Sequence, residues 1–160
     1  MVDLTFPSGQ KVQIDGKDVI RIRATLAQEP EGNSLVTWLQ TAFFDEDAAS
    51  IAKMVVVELP TLTSLKSPQL GSIWFNGAKA IGPYWVRPTD RGDGVNSSFQ
   101  IGNKIQYVSN LPQEVADVIK KAGGKVLPIR DDGMMTTIIE EAKSWMRDLK
   151  AWDSGLVDTK

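Results

Sequence analysis

The alternation of apolar and polar positions divides the chain into short runs. Gln10 to Ile14 alternates, with Val12 and Ile14 sharing a face, and Asp15-Gly16 offers the positive-φ chemistry of a tight turn. A hairpin is therefore expected, with Val19 to Arg23 as its second arm, Ile20 and Ile22 on one side of it and Arg21 and Arg23 on the other. A polar loop, Glu29 to Asn33, precedes a run from Leu35 to Phe44 that reads as a strand. Asp45 stands where a helix N-cap would, with Glu46 and Asp47 in the first turn of a short helix ending near Met54. Val55-Val56-Val57 then reads as a strand, halted by Pro60.

Residues 61–68, rich in hydroxyl side chains and bracketed by Pro60 and Pro68, read as a connector, after which the pattern restarts. Ile73 and Phe75 alternate with their neighbours, Asn76-Gly77 brings back the turn chemistry, and Ala78 to Ile81 begins a returning arm that Gly82-Pro83 interrupts. Ser98 to Ile101 and Lys104 to Val108 flank Gly102-Asn103, another hairpin signal. Pro112-Gln113-Glu114 opens a helix carrying Val115, Val118 and Ile119 on one face, Gly123-Gly124 closes it, and Lys125 to Ile129 reads as a strand. Residues 8–60 and 71–130 thus share an order of elements expected of an internal repeat.

From Met135 onward Ile138, Ile139, Ala142, Trp145, Met146, Leu149 and Trp152 recur at three- and four-residue spacing, predicting an amphipathic helix over about 133–152. The expected fold is α+β in a single compact domain, 1–160: two related, mainly antiparallel β units, each with a short helix, plus a long C-terminal amphipathic helix packed over them.

Composition narrows the chemistry. The chain has 160 residues, 42% of them hydrophobic, enough for an ordinary core. It has no cysteine and no histidine, which removes disulfides, thiolate nucleophiles, the usual zinc and haem ligand sets and the Ser-His-Asp triad. Any catalysis would fall to carboxylates, Lys, Arg, Tyr, Ser or Thr. No cofactor or metal is expected: no phosphate loop or dinucleotide fingerprint occurs, and Asp90 to Gly94 does not fit a calcium loop. The carboxylate clusters Asp45-Glu46-Asp47 and Asp131-Asp132 stand where helices are expected to begin, a place that favours negative charge without catalysis. The N-terminal residues do not read as a signal peptide and no run has the length of a membrane span, so the expected compartment is the cytoplasm.

The formal charge of -2 is unevenly distributed. Residues 1–60 hold 5 basic and 9 acidic side chains, 61–130 hold 9 and 4, and 131–160 hold 4 and 7. A basic middle between acidic ends suits attraction between segments or between copies.

Three functions follow. The first is a non-catalytic protein-interaction or self-assembly domain, bound to a second copy or another protein through strand edges or the terminal helix. Trp145 and Trp152 are its anchors, with Trp74 and Trp85 in support. The second is a nucleic-acid-binding regulator, or another anion binder, using Arg21, Arg23, Arg87, Arg91 and Lys104 beside stacking aromatics such as Tyr84. The third is an enzyme with a small-molecule pocket between the two units, containing Lys79, Tyr84 or a carboxylate with a shifted pKa.

Overall fold

The computed structural model describes residues 1–29 and 31–129, which belong to one unit, Met1–Ile129. Trp145, Trp152 and the helix expected at about 133–152 lie outside the described residues. The described chain runs β1 (Val2–Thr5), β2 (Lys11–Ile14), β3 (Arg21–Ala24), β4 (Ser34–Thr37), β5 (Thr41–Phe44) and α1 (Ala48–Glu58). It continues through β6 (Leu62–Ser67), β7 (Gly71–Asn76), β8 (Ile81–Tyr84), β9 (Ser97–Ile101), β10 (Lys104–Val108), α2 (Pro112–Ala122) and β11 (Lys125–Val126).

The strands form a two-stranded sheet β1-β2, a five-stranded sheet β5-β4-β3-β7-β6 and a four-stranded sheet β10-β9-β8-β11. Every pairing is antiparallel except β11 with β8, where Lys125 lies opposite Ile81 and Val126 opposite Gly82.

This topology corrects the expected fold. The described residues are α+β with mostly antiparallel sheets, but they contain two helices, and the strands do not divide into one sheet system per unit. β7 crosses over to β3, with Arg21 opposite Phe75 and Ile22 opposite Trp74. The reason lies in β7 itself, which is apolar on both faces: Phe75 is fully buried, and Trp74 on the other face packs against the core around Ile22 and Val55. A strand of that kind belongs inside a sheet.

Several local expectations change with it. Asp15-Gly16 and Asn76-Gly77 do not make hairpins. The Asp15 side chain accepts from the Lys17 amide and the Asn76 side chain from the Ala78 amide, and each starts a short 3-10 turn, Gly16–Asp18 and Gly77–Lys79. The side chain satisfies the backbone two residues on, so the chain turns without folding back on itself. β2 pairs instead with β1, and β3 with β4 and β7.

Leu35 to Phe44 is a hairpin rather than one strand, with Trp38, Leu39 and Gln40 in its loop. Helix α1 is capped by Asp47, not Asp45, through a 2.6 Å bond to the Ser50 amide, and it runs through Val55-Val56-Val57 to Glu58. Burial of Ile51, Ala52 and Val55 along one face outweighs the β-propensity of the valines. The expected connector 61–68 holds strand β6, whose Leu62 and Leu65 are both buried. Lys125 to Ile129 pairs only over Lys125–Val126. The Gly102-Asn103 hairpin is found, with Gly102 at φ +60, and so is the α2 stop at Gly123, φ +87.

From β1 to α1 and again from β6 to α2, the described chain passes through a similar order, hairpin, 3-10 turn, strand, hairpin, helix, the second stretch adding a further 3-10 turn at Pro88–Asp90 before its second hairpin. Buried Ile51, Ala52 and Val55 hold the positions in α1 that buried Val115, Ala116 and Ile119 hold in α2. The glycines of the two 3-10 turns each face the last residue of a helix: a Cβ on Gly16 would meet Glu58, and one on Gly77 would meet Ala122. β4 and β9 both open on a fully buried serine, Ser34 and Ser97. One core gathers Leu4, Ile14, Ile22, Phe44, Ile51 and Val55, and a second gathers Leu65, Phe75, Phe99, Val108, Val115 and Ile119.

Candidate functional site

The two helices are built alike on the inside and differently on the outside. Where α2 carries Gln113, Lys120 and Lys121, the same positions of α1 carry Ala49, Val56 and Val57. Val57 is 80% exposed and Val56 42% exposed, with Met54 beside them at 36%. An amphipathic helix on a sheet needs its inner stripe and no more, so the fold does not require this second apolar face. Its flank runs into a groove of about 420 Å³, bounded by Ala49, Ala52, Lys53 and Val56 on the helix and by Thr63, Ser64 and Trp74 on the sheet.

The opposite face of the five-stranded sheet carries a different site. Strand alternation turns Ile22 and Trp74 toward α1 and turns Arg21, Arg23 and Phe75 away from it. Arg21 and Arg23 line a cleft of about 760 Å³, together with Arg87, Asp90 and Asp93 from the loop after β8 and Ile105, Gln106 and Tyr107 from β10.

Within that cleft most charges are paired. Arg23 grips Glu29 with two parallel bonds, Nη1 to Oε1 at 2.8 Å and Nη2 to Oε2 at 2.9 Å, and Glu29 also accepts from the Leu26 amide. The Arg23 hydrogen bond is the largest cause that brings the Glu29 carboxyl down to about 2. The acid that meets Arg23 is therefore Glu29. Arg87 donates from Nε to Asp90 at 2.9 Å across an exposed turn, a pair of small energetic weight.

Arg21 donates to Oε1 of Gln106 at 2.8 Å and has no carboxylate partner among the described residues. Burial, and after it the like charge of Arg23, push its pKa down.

The five basic residues singled out in the sequence are thus not one surface. Arg21, Arg23 and Arg87 line the cleft; Arg91 sits over the Trp85 ring at 5.9 Å and donates from Nε to the Val86 carbonyl; Lys104 is exposed beside the Gly102-Asn103 turn and is not among the cleft residues. Of the aromatic candidates, Trp74 stands half-buried in the α1 groove and Trp85 is half-buried under Arg91. Trp145 and Trp152 lie outside the described residues. Lys79 is exposed, and the Tyr84 hydroxyl donates to Gln100 at 3.0 Å; neither lines the cleft.

No family model, no curated protein and no solved structure matches this chain. Among the described residues, no helix is long and apolar enough to cross a membrane.

Sequence reasoning missed Met54, Val56 and Val57 as surface residues because it places them at the end of a helix and in a strand. A signal was present: α1 is apolar nearly all round, whereas the α2 sequence alternates cleanly. Gln106 and Tyr107 were missed as site residues because nothing local in the sequence brings β10 to β3.

Proposed function

We propose that the chain is a non-catalytic protein-interaction domain that self-associates through the outer face of α1 and the groove beside it. The observation that carries this reading is the contrast between the helices, with Val56 and Val57 standing where α2 has Lys120 and Lys121. A second copy is the partner chosen because one patch holds both halves of a contact. Val57 projects from it and the Trp74 groove is recessed into it, so a two-fold arrangement lets each chain give and receive the same side chains. Trp74 is the aromatic anchor of the contact. The cytoplasm is retained as the proposed compartment, with which a sequence free of cysteine is consistent.

Native mass spectrometry of the full chain and of Val57→Lys tests the proposal. The substitution places at Val57 the residue type that α2 already tolerates, and at 80% exposure it leaves the fold intact. The expected result is a dimer for the natural chain and a monomer of unchanged circular dichroism for the variant. A natural chain that stays monomeric at micromolar concentration, or a Val57→Lys dimer, overturns it.

The nucleic-acid reading has less support in the geometry. Asp90 and Asp93 share the cleft with the three arginines, and Glu29 neutralises one of them.

A further inference from the structure

Strand β3 carries two arginines two residues apart on one face, and they have opposite surroundings. Arg23 is neutralised inside the protein by the fork onto Glu29 and a further bond from Nη1 to the Ala24 carbonyl. Arg21, half-buried in the same cleft, meets a neutral amide oxygen instead. That amide is held in place: Gln106 Nε2 donates to the Tyr107 carbonyl at 3.0 Å, which fixes Oε1 toward Arg21. A guanidinium has five donors, and a partly desolvated one left without an anion is costly. A positioned guanidinium in a cleft, with no carboxylate bonded to it among the described residues, is an arrangement suited to an anion that arrives from outside.

The walls specify the kind of anion. Ile105 and Tyr107, each 48% exposed, offer apolar and aromatic surface on β10, and Leu26 and Leu70 add to it. Asp90 and Asp93 line the same cleft and repel a dianion more strongly than a monoanion. The volume, about 760 Å³, is that of a small-molecule site.

We infer that the Arg21 cleft binds a ligand bearing one carboxylate on an apolar or aromatic body, with the carboxylate on the Arg21 guanidinium and the body against Tyr107 and Ile105. The carboxylate matches the planar fork of the guanidinium. Gln106 is a positioning residue that presents Arg21. A free small acid and the C-terminal residue of a peptide share this chemistry. The site lies on the sheet face opposite the α1 groove, so it stands or falls apart from self-association.

The test is a titration of the full-length chain, followed by 15N chemical shifts at the Gln106 side-chain amide and the Tyr107 backbone. The probes are N-acetylphenylalanine, its amide, phenyl phosphate, and the tripeptide Gly-Gly-Phe with a free carboxyl terminus. The acid is expected to shift these signals saturably, and the amide to bind about tenfold or more weakly, the loss of one charge-assisted contact. Phenyl phosphate should bind more weakly than the acid.

Tighter binding of the tripeptide than of N-acetylphenylalanine assigns the site to a peptide terminus; the reverse assigns it to a small acid. Arg21→Gln should remove saturable binding while circular dichroism is retained. Equal binding of acid and amide, tighter binding of phenyl phosphate, or no saturable shift with any probe overturns the inference. Because the amide comparison uses the natural chain, a variant that failed to fold would not rescue it.

Discussion

At the scale of single residues, the two serines that open β4 and β9 stand out. Ser34 and Ser97 are fully buried and their hydroxyls find no partner among the described residues. A buried hydroxyl that gave up water without replacing it destabilises the native state, and a methyl group of nearly the same size does not carry that cost. Ser34→Ala and Ser97→Ala are therefore expected to leave stability unchanged or raise it, by up to about 1 kcal/mol each. Urea denaturation monitored by tryptophan fluorescence reads this directly, and a clear drop in midpoint would show that the hydroxyls are satisfied in solution. Glu29 illustrates the opposite case. Its charge is fully engaged by Arg23 and the Leu26 amide, and it braces the turn that follows β3.

At the scale of elements, the glycines of the two 3-10 turns explain why the turns are built as they are. Gly77 is buried under the last turn of α2, where a Cβ would collide with the side chains of Ala122 and Thr63. Gly77→Ala should cost about 1–3 kcal/mol, the usual penalty for forcing a methyl into a packed contact. A chemical-denaturation midpoint unmoved by the substitution would mean that α2 can shift outward.

The dipeptides Asp15-Gly16 and Asn76-Gly77 also mark where sequence reading stopped short. Their composition announces a turn, and a turn is present. Whether the chain then doubles back depends on what waits beyond it: β1 claims β2, β4 claims β3, and both contacts are settled by burial of Val2, Leu4 and Val36 rather than by the turn residues. The β9-β10 hairpin and α2 were legible because each is decided locally, by Gly102 at positive φ and by a clean polar-apolar period ended at Gly123. Helix α1 was misread for the converse reason. Three consecutive valines look like a strand until Ile51 and Ala52 are seen to share a face with Val55.

At the scale of the whole molecule, the candidate surfaces depend on the β3-β7 pairing, which no local pattern encodes. Arg21 and Arg23 could be assigned to one strand face from sequence alone, and the structure keeps them there. Their companions Gln106 and Tyr107 come from a strand 85 residues away in the Arg21 to Gln106 bond, and that distance is invisible to periodicity. Trp74 likewise reaches the α1 groove only because β7 leaves its own half for the first. The two stretches, β1 to α1 and β6 to α2, match in their buried helix positions, their paired glycines and their paired serines.

The crossing of β7 to β3 carries one more consequence. Each half holds most of a core of its own, and the short link Leu59-Pro60-Thr61 is all that joins α1 to β6 in sequence. A chain severed at Pro60 would yield one fragment with the edge of β3 bare and another with Trp74 and Leu62 bare, each lacking what the other supplies. Mixed in equal amounts, the fragments should reassociate and recover the near-ultraviolet dichroism of the intact chain, while either alone should not. The seam between the halves would then be a natural joint for a split reporter, reassembled by the register of Ile22 with Trp74.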